Sequence, residues 1–157
     1  LNAKIAGRQI GNKWRDILMR ELHNNSEWGQ LDLSTNGKIL SYDGSKLSKT
    51  IIVRYSKLHY GNRWWYDIPI SYWKNWDDDT FLAFLFPDGN ECSFVILNPQ
   101  EARALLSKIT PSDSRDAKIV HVHKEPESTR GPYIRQWDDF PLKSRLKGLP
   151  ALQDEKV

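Results

Sequence analysis

The segment from Thr80 to Ile109 constrains the fold more than any other part of the chain. Thr80–Phe86 is an apolar strand, Pro87-Asp88-Gly89-Asn90 is a hairpin turn, and Glu91–Leu97 is the returning strand. Asn98 then offers an N-cap, Pro99 takes the first helical position, and Glu101 stands where the reciprocal capping contact is made. Ala102, Leu105, Leu106 and Ile109 follow at helical spacing and form one apolar stripe. A hairpin running directly into a capped amphipathic helix points to a helix packed on a sheet.

The rest of the chain supplies more of the same elements. Gly7–His23 reads as a first helix, with Ile10, Trp14, Ile17, Leu18 and Leu22 on one face and Asn24-Asn25-Ser26 as its stop. Extended pieces follow at Trp28–Ser34 and Lys38–Tyr42, separated by Thr35-Asn36-Gly37. Asp43-Gly44-Ser45 is a further turn. Thr50–Lys57 is rich in β-branched residues and reads as a strand. Tyr60-Gly61-Asn62 turns the chain into a strand over Arg63–Ile68, and Pro69 ends it or places it at an edge. Ile70–Trp76 reads as a short helical turn. After Thr110 comes a Pro-Ser-Asp-Ser linker, a strand over Lys118–Lys124, a loop over Glu125–Pro132, and a Tyr133–Phe140 segment that docks through Trp137. The expectation is an α+β protein with a central mixed β-sheet flanked by an N-terminal helix and a later helix. Residues 1–110 form its core and 111–157 an extension packed on that core, frayed from Lys147. Trp14, Ile17, Leu18, Leu105 and Leu106 are expected in the interior.

Several classes of protein are disfavoured at once. No apolar run approaches the roughly 18 residues that cross a bilayer, and the first residues lack the apolar middle of a signal peptide. Cys92 is the only cysteine, so an intrachain disulfide and a Cys-rich zinc site are both excluded. These features point to an intracellular protein without a membrane partner. A Gly-rich phosphate loop, a G-x-S-x-G elbow and a dinucleotide fingerprint are all missing.

Charge is segregated more than the net value of +3 suggests. Lys46, Lys49, Arg54, Lys57 and Arg63 occur with no acid between Asp43 and Asp67, and then Asp77-Asp78-Asp79 follows. Among the cations stand Tyr55, His59, Tyr60, Trp64, Trp65 and Tyr66. Cations interleaved with flat rings suit an anionic polymer with stackable faces, which is nucleic acid. On this reading Lys46, Lys49, Arg54, Arg63 and Lys74 neutralise phosphates, and His59, Trp64 and Trp65 stack or wedge against bases. The plainer reading is a strand pair whose Trp residues are core and whose cations are solvated. A third is a protein-interaction patch, because Trp, Tyr and Arg dominate those too.

The order of elements and several phrases resemble the core of the PD-(D/E)XK nuclease superfamily over roughly residues 8–109. Gly29-Gln30-Leu31-Asp32-Leu33 is similar to the family's strand carrying a metal-binding Asp. Thr50–Lys57 is similar to the following strand, which carries an acid-x-Lys signature. The resemblance implies a restriction-endonuclease-like fold that binds DNA, commonly as a homodimer. It also implies Mg²⁺ held by two carboxylates with a Lys positioning the attacking water. Lys57 would be that Lys, and Asp32 or Asp43 the metal-binding acids, with Glu21 on the first helix in reserve. Tyr55 stands where the second acid of the signature belongs. The implied activity is a divergent Mg²⁺-dependent endonuclease or a scaffold that binds without cutting.

Three other groups attract attention. His121 and His123 share a face of their strand at a spacing metals accept, but the ordinary reading is a pair of satisfied or exposed histidines. Asp77-Asp78-Asp79 reads as an acidic loop. Cys92 alternates with Phe94 and Ile96 and is expected to be buried and inert.

Overall fold

The computed structural model describes residues 3–114, 116–124 and 131–151. It is an α+β protein with a mixed, curled central sheet and a few helices. Helix α1 spans Ala3–His23, and Trp14, Leu18 and Leu22 form its buried stripe. Ile17 is half-buried, whereas Ile10 lies on the exposed side, contrary to the expected stripe. Trp28 falls in a 3-10 turn, Ser26–Trp28, and not in the first strand. Strand β1, Gln30–Leu33, starts after Gly29. There φ is +63°, and a Cβ would lie 2.6 Å from the Tyr42 carbonyl oxygen, so only glycine fits.

Strands β2 (Ile39–Asp43) and β3 (Lys46–Tyr55) continue the antiparallel meander. β3 begins four residues earlier than its β-branched run and stops before Lys57. It pairs in parallel with β5, Thr80–Asp88, which forms the expected hairpin with β6, Glu91–Leu97. The six-stranded order is β1-β2-β3-β5-β6-β9, where β9 is Lys147–Gly148. The chain was expected to fray from Lys147. Instead that pair of residues bonds to β6 and Leu149 is buried, while 152–157 lie outside the described residues.

A second sheet has three strands in the order β4-β7-β8. β4 is Arg63–Ile68, β7 is Lys118–His123, and β8 is Tyr133–Ile134. Helical turn α2, Ile70–Trp73, follows β4. Helix α3, Pro99–Ser107, carries the expected capping box. The Asn98 side chain accepts from the Glu101 N–H at 2.8 Å, and Glu101 accepts from the Asn98 N–H at 3.0 Å. A last turn, α4, spans Leu142–Arg145.

The layers follow from strand alternation. Ile51, Ala83, Leu85 and Phe94 point from the large sheet toward α1 and pack with Trp14 and Leu18. Ile52, Leu82, Phe84 and Val95 point the other way, toward α3 and the small sheet. β5 is therefore covered on both faces, which explains its unbroken apolar run. Within the small sheet, Trp64, Tyr66, Ile68, Val120, Val122 and Ile134 face inward. Tyr66 donates its hydroxyl to the Leu85 carbonyl at 2.6 Å, and Trp64 donates Nε1–H to the Pro87 carbonyl at 3.1 Å. These bonds satisfy the polar tips of two buried aromatics and join the two sheets. Residues after 110 enter this same core through Val120, Val122, Ile134, Phe140 and Leu142. Among the described residues, no helix is long and apolar enough to cross a membrane.

Candidate nucleic-acid interface

The outward face of the small sheet gathers residues far apart in sequence. Because the inward positions of β4 are Trp64, Tyr66 and Ile68, Arg63, Trp65 and Asp67 face outward. The antiparallel register sets Arg63 opposite His123, Trp65 opposite His121 and Asp67 opposite Ile119. β8 then sets Tyr133 opposite His123, and their rings stack with centroids 5.3 Å apart. Arg135 follows on the same edge, its N–H donating to the His121 carbonyl at 2.8 Å.

The turn before β4 completes this face. The His59 ring lies flat on Trp65, 3.4 Å between centroids and 10° between planes. Tyr60 stands beside them, 6.4 Å from the Trp65 ring, with the Arg63 guanidinium 5.6 Å from its centroid. Tyr60 is 83% exposed and its φ is +55°, a conformation that favours glycine. The backbone is thus held in an uncommon geometry that leaves a large ring in water, a combination that marks contact surfaces more than packing. Burial holds the His59 ring below its ordinary pKa, with the Lys57 charge adding to the effect. Burial likewise lowers His121 and His123, reinforced by Arg63 and Arg135, while Asp67 opposes the shift at His121. In all three imidazoles the shift favours the uncharged ring, and His59 and His123 each stack on an aromatic neighbour.

Beside this face runs a cleft of about 650 Å³. Its cause is topological. β2 pairs with β3 only from Ile51 back to Lys46, so the later part of β3 has no strand on that side. The cleft runs along this open edge, with Val53–Lys57 as its floor. α1 supplies one wall through Gly11, Asn12 and Arg15. It comes close because Gly11 packs on Tyr55, where a Cβ would stand 3.1 Å from the ring. The β1–β2 turn supplies Asn36 and Gly37, and Trp65 and Asp67 close the side toward the outer face. Burial pulls the Arg54 guanidinium down from its ordinary value, while the nearby Tyr72 and Asp67 oppose the shift. The Nε atoms of Arg54 and of Arg15 are both buried and neither has a hydrogen-bond partner. A buried donor left without an acceptor costs about 1–3 kcal/mol.

Lys57 lines this cleft, but neither expected metal-binding acid does. Asp43 pairs with Lys46 at the opposite end of β3, and ten residues at about 3.3 Å each make that strand roughly 30 Å long. Asp32 sits opposite Leu40, which sits opposite Thr50, and its carboxylate accepts from the Leu33 N–H at 2.8 Å. The antiparallel meander therefore holds both acids away from Lys57. Glu21 lines a different hollow near the end of α1. Among the described residues, Asp67 is the one carboxylate lining the cleft, and it lies within the field of Arg54. Among the described residues no three His, Cys, Asp or Glu side chains are grouped as a metal would need. The donor set does not fit Mg²⁺ beside Lys57.

The expected nucleic-acid contacts divide. His59, Arg63 and Trp65 lie on the outer face. Trp64 does not: it is core, 4% exposed, and no base can stack on it. Arg54 lies in the cleft and not on an open surface. Lys46 is at the far hairpin, and Lys49 lies over the Trp28 ring and donates to the Glu27 carbonyl at 3.1 Å. Lys74 caps the end of α2 and is exposed. Cys92 is buried, and burial pushes its thiol up to about 12. Asp77 is absorbed locally by the Asp79 N–H and the Thr80 hydroxyl, and Asp78 pairs with Arg103 at 2.7 Å. Sequence reasoning did not place Arg15, Tyr133 or Arg135 at a site. His121 and His123 were noticed as a pair on one face, but without the strand that faces them.

The chain matches no protein-family model, no curated protein and no solved structure. The nuclease resemblance therefore rests on the sequence phrases quoted above.

Proposed function

We propose that this protein binds DNA without cutting it, holding a single-stranded stretch on the outer face of the β4-β7-β8 sheet. The observation that carries this reading is the half-buried His59–Trp65 stack with Arg63 and the exposed Tyr60 beside it, and Arg135 on the same sheet next to His121. Bases that are not paired present both faces, and successive aromatic rings on a sheet suit them. On this reading Arg63, Arg135 and Lys57 would meet the phosphates of a backbone passing over those rings. The scaffold on this reading is the nuclease-like one that the sequence resembles, used for holding and not for hydrolysis. Asp32 and Asp43 take no part in it.

The test is binding of single-stranded and duplex oligonucleotides by fluorescence anisotropy across a salt series. The single strand should bind more tightly, with log K falling linearly against log salt. Trp65→Ala should weaken binding about 10- to 100-fold, at roughly 1–3 kcal/mol per stacked base. Arg63→Ala with Lys57→Ala should flatten the salt slope by about 2. An affinity that ignores salt would discard DNA in favour of a protein partner on the same aromatic face.

A further inference from the structure

The cleft contains a signal that the outer face does not use. Arg15 and Arg54 both line it, one from α1 and one from β3. Asp16 takes one Nη2 of Arg15 at 3.4 Å, yet both Nε–H groups remain without an acceptor. Buried polar groups are almost always satisfied, so two guanidinium Nε–H groups in one hollow, neither of them taken by the buried Oδ1 of Asp67 nearby, call for a specific explanation. An oxyanion between them supplies it, because guanidinium donors and phosphate oxygens match in geometry and charge. Among the described residues, the lining cations Arg15, Arg54 and Lys57 outnumber the lining carboxylate, Asp67. That surplus favours a dianion over the single charge of an internal phosphodiester. A phosphomonoester carries a charge of about −1.5 to −2 at pH 7 and three terminal oxygens. The His59–Trp65 stack also lines this cleft, where it can take the base attached to such a phosphate.

We infer that the cleft seats a phosphomonoester between Arg15 and Arg54, either the terminal phosphate of a DNA strand or that of a free mononucleotide. The choice of ligand rests on the DNA-binding reading above. On a strand, the phosphate anchors one end and the following bases run out over the sheet. The cleft thereby sets the polarity of the bound strand.

The experiment compares oligothymidylates bearing a 5′-phosphate, a 3′-phosphate or neither, at one salt concentration, with thymidine monophosphate as competitor. One phosphorylated end should bind about tenfold tighter than the unmodified strand, the equivalent of about 1.4 kcal/mol. That ratio should fall to about one in Arg54→Met and in Arg15→Gln, each checked for a cooperative melt. Two separate variants guard against either one misfolding. Displacement by the mononucleotide at concentrations matching the phosphorylated strand would support the cleft and name the free nucleotide as its source. Equal affinity for all three strands, with no displacement by the mononucleotide, would overturn the inference. If that equal binding still depended on salt and on Trp65, the DNA-binding reading would stand alone. A preference that survives both substitutions would place the phosphate elsewhere. Failure of every strand and of the mononucleotide to bind would remove both readings.

Discussion

Two hollows of similar size open on this molecule, and their arginines behave differently. One is the cleft along β3, about 650 Å³, and the other, about 670 Å³, lies between the end of α1 and the start of α3. In the second, Arg145 grips both oxygens of Glu101, at 2.6 and 3.0 Å, and donates to the Ile96 carbonyl at 2.9 Å. Glu101 is itself half of the α3 capping box. That arginine is structural: it ties α4 to a helix start and to β6. In the first, Arg15 and Arg54 each keep a buried donor with nothing to receive it. A satisfied charge holds a fold together, while an unsatisfied one costs stability unless something outside the chain completes it.

The same contrast runs through adjacent residues of β4, and it yields the largest expected effect. Trp64 is fully engaged, buried and bonded to the Pro87 carbonyl, so Trp64→Ala should cost about 3–5 kcal/mol. Trp65→Ala should leave the denaturant midpoint nearly unchanged while weakening DNA binding. Equal destabilisation of both variants, measured by urea unfolding, would erase the distinction between inner and outer face.

Arg145→Ala should destabilise by about 1–2 kcal/mol, toward the lower figure because the pair is partly exposed, with DNA affinity unchanged. Arg54→Met should cost no more stability than Arg145→Ala, because losing a buried charge with an orphaned donor offsets the loss of its field at Asp67. A large loss of stability in Arg54→Met, read from thermal or urea melts, would mean that this guanidinium is as structural as Arg145.

The smallest effect is in pH, where the two regions should respond in separate windows. His59, His121 and His123 have folded pKa values below their ordinary ones. Their contribution to stability is present above about pH 6.5 and is lost as pH falls through the lowered values. Bound phosphate favours the charged imidazole, so DNA affinity should rise, by less than about tenfold, as stability falls over that range. Glu101 is held below its ordinary value chiefly by its hydrogen bond to Arg145, with burial opposing and the Asn98 N–H assisting. Its contribution is present above about pH 4.3 and disappears only as pH falls through the lowered value, with no change in affinity. Anisotropy and melts on the same samples from pH 7.5 downward check both windows; a parallel fall in affinity and stability near pH 6 would break the proposed link between the histidines and phosphate.

Much of the fold was legible because its signals are local. The Asn98–Glu101 box, the hairpin after Phe86 and the apolar strand Thr80–Phe86 each need only neighbours in sequence; the structure forms them, with β5 running on through Pro87 and Asp88 so that the turn narrows to Gly89-Asn90. Trp14 and Leu18 were legible as core for the same reason: helical spacing alone puts them on one face. The choice between Trp64 and Trp65 was not legible. Adjacent strand residues point to opposite faces, and which face is inside depends on what covers it. The expected metal site turns on register. Asp32, Asp43 and Lys57 fall in a familiar order along the chain, but an antiparallel meander sends Asp43 to one end of β3 and Lys57 past the other.

By itself, the sequence determined which segments become the main helices and strands, how α3 is capped, and most of the apolar stripes, because those preferences act over a few residues. Tertiary structure decided the rest. β7 pairs with β4 across some fifty residues of chain, and that pairing alone brings His121, His123, Tyr133 and Arg135 around Trp65. The stop in β2 pairing at Ile51 opens the edge of β3, and the close approach of α1 at Gly11 brings Arg15 toward Arg54. Long-range pairing is set by burying both sheets around one core, a global free-energy balance that no local pattern encodes.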